Sequence, residues 1–345
     1  MQEESFKRTE ISELGEFKLI KLLTSEFAKL QNSTIKGIGD DAAVIDAANA
    51  CTLISTDLLI EGIHFDLTYT PLKHLGYKSI IVNLSDIYAM NAIPTQVTVS
   101  IAVSNRFSVE AIEEIYEGIR TACDFYKVDL VGGDTTSSPK GLVISVTAIG
   151  RQIKEKIVYR SGANSGDQIF VTGEIGAAYL GLQLLEREKL IFLENPKIPI
   201  DLEDQKFCVG KFLKPEAART AIFQFAQSDI IPTSMIDLSD GLSSDLLHIC
   251  EQSNQGALIF EENVPINTEA QLLAIKFNLD PITAALNGGE DYELLFTAND
   301  TDSEKLRFLP GFYHIGEIVD PNLGVKLRSN SGKFHPIIAQ GWNHF

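Results

Sequence analysis

VDLVGGDTTSS, residues 128–138, carries three signals in eleven residues. Val128, Leu130 and Val131 form a short apolar run that reads as a buried strand. At Gly132-Gly133 the backbone is free to turn with positive φ, and Asp134 follows at once. A second apolar run, Leu142 to Ile149, begins after a few small polar residues. Taken alone, the stretch reads more plainly as a hairpin turn with a solvated acid. As a strand, glycine turn and tip carboxylate, it would present an acid and bare backbone N–H groups to something outside a sheet. The same device recurs along the chain, and that repetition gives the second reading its weight.

A chain of 345 residues suggests two domains, divided here as 1–152 and 153–345. The formal net charge is -18, from 47 acidic and 29 basic residues, a balance that repels nucleic acid and anionic membranes. Phosphate chemistry on such a chain calls for metal ions as intermediaries. Cys51, Cys123, Cys208 and Cys250 form no C-x-x-C pair, and the six histidines show no ligand spacing, which argues against structural zinc and a disulfide framework. The acidic start lacks the apolar segment of a signal peptide, and no apolar run approaches the roughly 20 residues that span a bilayer. A cytoplasmic protein is the expectation.

Leu14, Phe17, Ile20, Leu23, Phe27 and Leu30 recur at helical spacing and predict a helix over 13–30. GIGDDAAVID (37–46) reads as a glycine turn into a strand; its G-x-G-x-x-A is no dinucleotide fingerprint, because Asp40-Asp41 would face a pyrophosphate with like charge. A strand from Cys51 leads into STDLLIEGIHF (55–65), placing Asp57 just beyond a strand end. Leu72 to Met90 is predicted helical, with Asn83 and Asp86 on one face and Asp86 at least half-buried. Val97 to Val103 alternates as a strand; Ser108 is placed to cap a helix with the stripe Ile112, Ile115, Ile119, Ala122, Phe125. After a charged linker at 151–159, Ile169 to Thr172 reads as a strand and 177–188 as a helix. Residues 189–214 read as an irregular excursion, and Pro215 as the first residue of a helix to about Ala226. Asp237, Ser239, Asp240 and Asp245 gather where the strand 235–238 turns into a helix; helix capping is the plainer account of them. Asn287 to Ala298 repeats the glycine-glycine-acid device ahead of another strand, and strands at 312–318 and 324–328 complete an α+β pattern.

Asp41, Asp57, Asp86, Asp134, Asp237 and Asp240 thus sit at turns, strand ends or a half-buried helix face. Each could cap or solvate; six doing so independently is the poorer explanation. Brought together they need cations, since two carboxylates about 4 Å apart repel by about 4 kcal/mol at an effective dielectric near 20. Oxygen ligands without cysteine or histidine select hard ions, Mg²⁺ above all. That ion characteristically bridges a few carboxylates to phosphate oxygens. ATP is the implied substrate. The chain has neither a GxxxxGK[ST] loop nor the protein-kinase motif set, and Arg160 is its one well-placed cation.

The blocks GIGDDAAVI, STDLLIEGIHF, NLSDIYAMNAIP, GGDTT, RSGANSGDQIFVTG, DLSDGLSSDL and GGEDYELLF occur in the order found in thiamine-monophosphate kinases. The ending GWNHF is also similar to that family's. The wider group includes aminoimidazole ribonucleotide synthetase and selenophosphate synthetase. The resemblance implies a two-domain α/β fold in which the N-terminal sheets of two subunits pair into a barrel, with an α/β sandwich as C-terminal domain and the active site between domains. It implies that Asp41, Ser55, Thr56, Asp57, Asp86, Asp134, Asp237 and Asp240 hold several Mg²⁺ ions. Tyr116, Gly133, Asp134, Arg160 and Ser239 would meet ATP, and His64, Glu290 and Trp342 thiamine monophosphate. Among these, Asp57, Asp134, Arg160 and Asp240 would be catalytic. Asn91 stands where the family usually has Gly; both accept left-handed backbone. The 189–214 segment is longer than usual for the family.

The expected reaction is ATP plus thiamine monophosphate to ADP plus thiamine diphosphate in a homodimer. Two other readings stay open. A selenophosphate synthetase would carry a reactive cysteine near its start, and residues 1–36 have none. A non-enzymatic divalent-cation binder would have no use for Arg160, His64 or an aromatic tail.

Overall fold

The computed structural model describes residues 31–198, 200 and 202–339. The helix expected over 13–30 and the tail residue Trp342 lie outside the described residues. Two sheets organise the rest. Strands β1 (Thr34–Lys36), β2 (Ala43–Ala47), β3 (Ala50–Ile60), β4 (Ile93–Val103), β5 (Asp129–Ser137) and β6 (Val143–Gln152) form the first, in the order β1-β2-β3-β6-β4-β5. Only β4 and β5 run parallel.

The GGDTT stretch departs from its sequence reading. It neither turns back nor is buried: β5 continues through Gly132, Gly133 and Asp134, and every residue of it is exposed. Nor does it form a hairpin with β6, which lies between β3 and β4. The physical reason is position: among the described residues β5 is an edge strand, paired with β4 alone. The glycines sit at a bulge, where Val97 pairs with Leu130 and Thr98 with Gly132, leaving Val131 extra. Gly133 lies so close to β4 that an added Cβ would stand 1.8 Å from the Val99 carbonyl oxygen. Asp57 is likewise not beyond a strand end but within β3, opposite Val146.

Helix α1 (Leu72–Ala89) is buried on nearly all sides from Leu75 onward, because it is enclosed by the first sheet, a second helix and the second sheet's elements. Helix α2 (Val109–Tyr126) crosses it with glycine in the crossing: a Cβ at Gly76 would lie 1.9 Å from the Ile115 carbonyl oxygen, and one at Gly118 1.9 Å from that of Lys73. Ser108 caps α2 by accepting from the Ala111 N–H, as the sequence suggests. Phe125 does not belong to the buried stripe; it is exposed, and Tyr126 takes the buried place. Asn91, just past α1, has a φ of 55°, in the left-handed region.

The second sheet contains β7 (Gln168–Thr172), β8 (Ser234–Asp237), β9 (Gly256–Phe260), β10 (Leu294–Ala298), β11 (Phe312–Val319), β12 (Val325–Arg328) and β13 (Phe334–Pro336), ordered β13-β12-β9-β11-β7-β10-β8. Helices α3 (Ala177–Glu194), α4 (Lys206–Leu213), α5 (Arg219–Ser228), α6 (Leu242–Ser253), α7 (Thr268–Lys276), α8 (Pro281–Asn287) and α9 (Asp300–Leu306) accompany it. The segment 189–214 is therefore more regular than its prolines suggest: α3 runs six residues further, and α4 follows. Pro215 precedes α5 without starting it; that helix begins at Arg219. Phe225, Phe296 and Phe312 pack at ring separations of 5.1–5.7 Å and belong to the same apolar core as α1 and β4. One core thus reaches from the first sheet into the second. No helix among the described residues is long and apolar enough to cross a membrane.

Candidate active site

Between the two sheets opens a cleft of about 1720 Å³. Four stretches bring into it five of the aspartates singled out in the sequence. The loop before β2 brings Asp41, β3 brings Ser55, Thr56 and Asp57, α1 brings Asp86, the end of β8 brings Asp237, and the turn after it brings Ser239 and Asp240. The strand places its residues by pleat, the helix by its inner face, and the turn by Gly241, whose φ of 109° redirects the chain into α6.

Asp41, Asp86 and Asp237 converge: one carboxylate oxygen from each lies within 4.8 Å of the others. Ser55 Oγ donates to Asp86, and Ser85 Oγ donates to Asp237 Oδ2 at 2.6 Å. Asn83 Oδ1 accepts the Asp57 N–H at 2.9 Å, which ties α1 to β3 beside these acids. Arg160 donates through Nε to Asp41 Oδ2 at 3.0 Å and through Nη2 to Asp41 Oδ1 at 2.7 Å. Burial, with the charge of Asp41 next, pushes the Asp237 carboxyl up to about 8; burial and the neighbouring Asp57 push Asp86 well above the carboxylate range. Such a group of carboxylates shares too little positive charge, and a hard cation fits its all-oxygen donor set. Asp245 has a different task. Its Oδ2 accepts the N–H groups of Asp240 and Gly241 at 3.3 and 3.1 Å, so it fixes the turn that leads into α6.

Other anticipated residues are distributed as follows. His64 lines the cleft, and its Nδ1 accepts the Ile60 N–H at 3.0 Å, which leaves Nε2 as the protonated nitrogen of the neutral ring. Glu290 lines the cleft from the glycine-rich loop before β10. Tyr116, Gly133 and Asp134 do not line it. Tyr116 packs half-buried against the first core, and the other two are on the exposed edge β5.

The sequence reading missed part of the lining. Tyr69, Tyr179, Glu186, Lys189 and Phe212 face the same space. Tyr69 donates its hydroxyl to Glu186 Oε1 at 2.7 Å, and Lys189 Nζ lies 2.8 Å from Asp66 Oδ2 and 3.2 Å from Glu186 Oε2. This set joins the loop after β3 to α3. It has aromatic faces and an excess of acid, a lining suited to a flat, cationic organic group. No spacing rule picks it out, since Asp66 and Tyr69 lie more than a hundred residues from the rest. Lys78, behind Glu290, did leave a trace: a lysine inside the apolar run of α1.

Residues 39–152 match the family model for the AIR synthase related protein, N-terminal domain. The chain is 34% identical over 335 residues to the thiamine-monophosphate kinase of Aquifex aeolicus (strain VF5), covering 97% of this chain and 99% of that one. It is 35% identical over 339 residues to the enzyme of the same name from Bacillus subtilis (strain 168), covering 96% and 100%. Among solved structures, AaThiL complexed with AMPPCP and TMP is similar with a TM-score of 0.84 at 32% identity, covering 99% of this chain and 100% of that one. With likeness along the whole chain, in sequence and in fold, and the acids gathered in one cleft, the chain belongs to the thiamine-monophosphate kinase family.

Proposed function

We propose that this protein transfers the γ-phosphoryl group of ATP to the phosphate of thiamine monophosphate, giving ADP and thiamine diphosphate. The observation that carries the reading is the convergence of Asp41, Asp86 and Asp237 beside Arg160, in a chain of this family. Asp41, Ser55, Thr56, Asp57, Asp86, Asp237 and Asp240 are the groups that would hold Mg²⁺, with Asp134 completing the set. Bound there, Mg²⁺ would neutralise phosphate charge and orient the transferring group.

The acceptor oxygen of thiamine monophosphate is already ionised at neutral pH, so the step requires no general base. A bond forms from that oxygen to the γ-phosphorus while the bond to the β–γ bridging oxygen breaks, and its electron pair leaves with ADP. Arg160 and Ser239 orient the ATP phosphates, with Gly133 and Tyr116 as further ATP contacts. His64, donating from Nε2, and Glu290, accepting, orient thiamine monophosphate, with Trp342 as an aromatic partner. Catalysis then rests on positioning and on fixed charge.

The geometry also supports a homodimer with a shared site. Strand β5 is three strand spacings from β3, about 14 Å across the sheet, so one chain does not bring its own Asp134 to its own Asp57 along that sheet. Closing the first sheets of two protomers into a barrel would cover the exposed Leu130 and Val131 and carry β5 to the other protomer's cleft. Residues 1–152 would then be the dimerisation domain and 153–345 the domain that completes the cleft.

The deciding experiment measures ADP release by purified protein with and without thiamine monophosphate, and with EDTA. Release that depends on thiamine monophosphate and stops with EDTA is expected. Release indifferent to either would overturn the reading.

A further inference from the structure

We propose that Lys78 is a positioning residue for thiamine monophosphate, acting through Glu290; the inference rests on the functional reading above. Lys78 lies in α1 with a side chain only 3% exposed, where an ammonium group is costly unless held on several sides. It is so held. Nζ donates to the Phe212 carbonyl at 3.1 Å, donates to Glu290 Oε2, and stands 4.0 Å from the centre of the Phe212 ring. The contact joins α1, α4 and the loop before β10, three elements that only the tertiary fold brings together.

Glu290 shows what the arrangement is for. Its φ is 66°, a left-handed backbone that a glutamate adopts at a cost, and its N–H is pinned to the Ser239 carbonyl at 2.8 Å. The loop is therefore locked to the turn that bears Ser239 and Asp240. The Glu290 side chain remains 26% exposed and lines the cleft. A buried ion pair is an inefficient stabiliser, since an apolar pair of equal volume would serve as well. A carboxylate with one oxygen held by a buried lysine, in contrast, has that oxygen's place set before any ligand arrives. Being acceptor-only, it suits the end of thiamine monophosphate that carries an amino group and a ring cation.

The test measures KM for thiamine monophosphate, KM for ATP and melting temperature in Lys78→Met, Lys78→Arg, Glu290→Gln and the double variant Lys78→Met/Glu290→Gln. Lys78→Met is expected to raise KM for thiamine monophosphate about tenfold or more, with KM for ATP within about twofold. Lys78→Arg, which keeps the charge but shifts the donors, should recover part of that loss. The double variant should be no worse than Glu290→Gln alone, because both act through one carboxylate. Should Lys78→Met fail to fold, the double variant, which leaves no unpaired charge, and Lys78→Arg carry the same comparison. An unchanged KM for thiamine monophosphate beside a lowered melting temperature would make Lys78 merely structural and overturn the inference. So would multiplying effects in the double variant. A wild type that turns over thiamine monophosphate with a Glu290→Gln variant of normal KM would remove this inference and leave the function standing; a wild type without turnover would remove the function itself.

Discussion

Arg160 holds Asp41 by two hydrogen bonds, Nε to Oδ2 at 3.0 Å and Nη2 to Oδ1 at 2.7 Å, and Asp41 is at the same time one of three converging acids. The arginine follows the first sheet in sequence, and the aspartate precedes β2. Their pairing gives one of the three acids a cationic partner, while Asp86 and Asp237 accept only from Ser55 and Ser85 hydroxyls among the described side chains. It also puts the guanidinium where ATP phosphates are proposed to bind.

Arg160→Ala should therefore have two effects. Asp41 is left buried without its partner, a loss of about 3–5 kcal/mol for a broken buried pair, and the melting temperature of the metal-free protein falls. Mg²⁺ should recover more stability in this variant than in the wild type, while kcat/KM for ATP drops. Melting curves with and without Mg²⁺ check it; a variant that melts like the wild type would contradict it.

The proposed sharing of the site between protomers predicts complementation between two dead variants. Asp134→Asn and Asp237→Asn should each be nearly inactive alone, with folding intact. Mixed dimers of the two contain one cleft with every acid in place if Asp134 comes from the neighbouring protomer. Co-expression with two affinity tags isolates such dimers, and about half the wild-type activity per dimer is expected. Mixed dimers without activity would show that each chain supplies its own Asp134.

Gly133→Ala tests the close approach of β5 to β4. The new Cβ would stand 1.8 Å from the Val99 carbonyl oxygen, so the strands must separate, at a cost of about 1–3 kcal/mol. Because β5 is at the edge, the rest of the fold should persist while activity and dimerisation are lost. Size-exclusion chromatography with circular dichroism separates these outcomes, and a fully dimeric, active variant would refute the strand geometry.

Acid stability should depend on Asp66. Burial opposes its ionisation, but Lys189 and the hydroxyl and N–H of Thr68 outweigh that and hold its carboxyl at about 2, below the usual 3.8. A depressed carboxylate contributes stability above its unfolded value and loses it as pH falls through the folded one, here between about pH 4 and 2. With solvent screening at a partly exposed pair, about 1 kcal/mol is involved. Asp66→Asn should lower the melting temperature at pH 7 and flatten its dependence over that interval. An unchanged acid limb would show that the Lys189 contact contributes nothing.

Much of the local structure follows from the sequence alone. The α1 helix, the Ser108 cap, the strand around Val97–Val103 and the left-handed Asn91 are set by periodicity, capping chemistry and backbone preference within a few residues. The ordered glycine-acid blocks likewise named the family, and they contain Asp41, Asp57, Asp86, Asp237 and Asp240, which line the cleft. The tertiary structure decided what depends on neighbours. Leu130 and Val131 are as apolar as any core strand, yet β5 is exposed because no described strand lies beyond it. Asp240 and Asp245 look alike in sequence, but one faces the cleft and the other holds the turn into α6. Phe125 and Tyr126 exchange their expected places for the same reason. Lys78 meets Glu290 across more than two hundred residues, and no local pattern specifies that pairing. Burial and convergence arise from chain segments packing over long sequence separations, and so they became visible only in the fold.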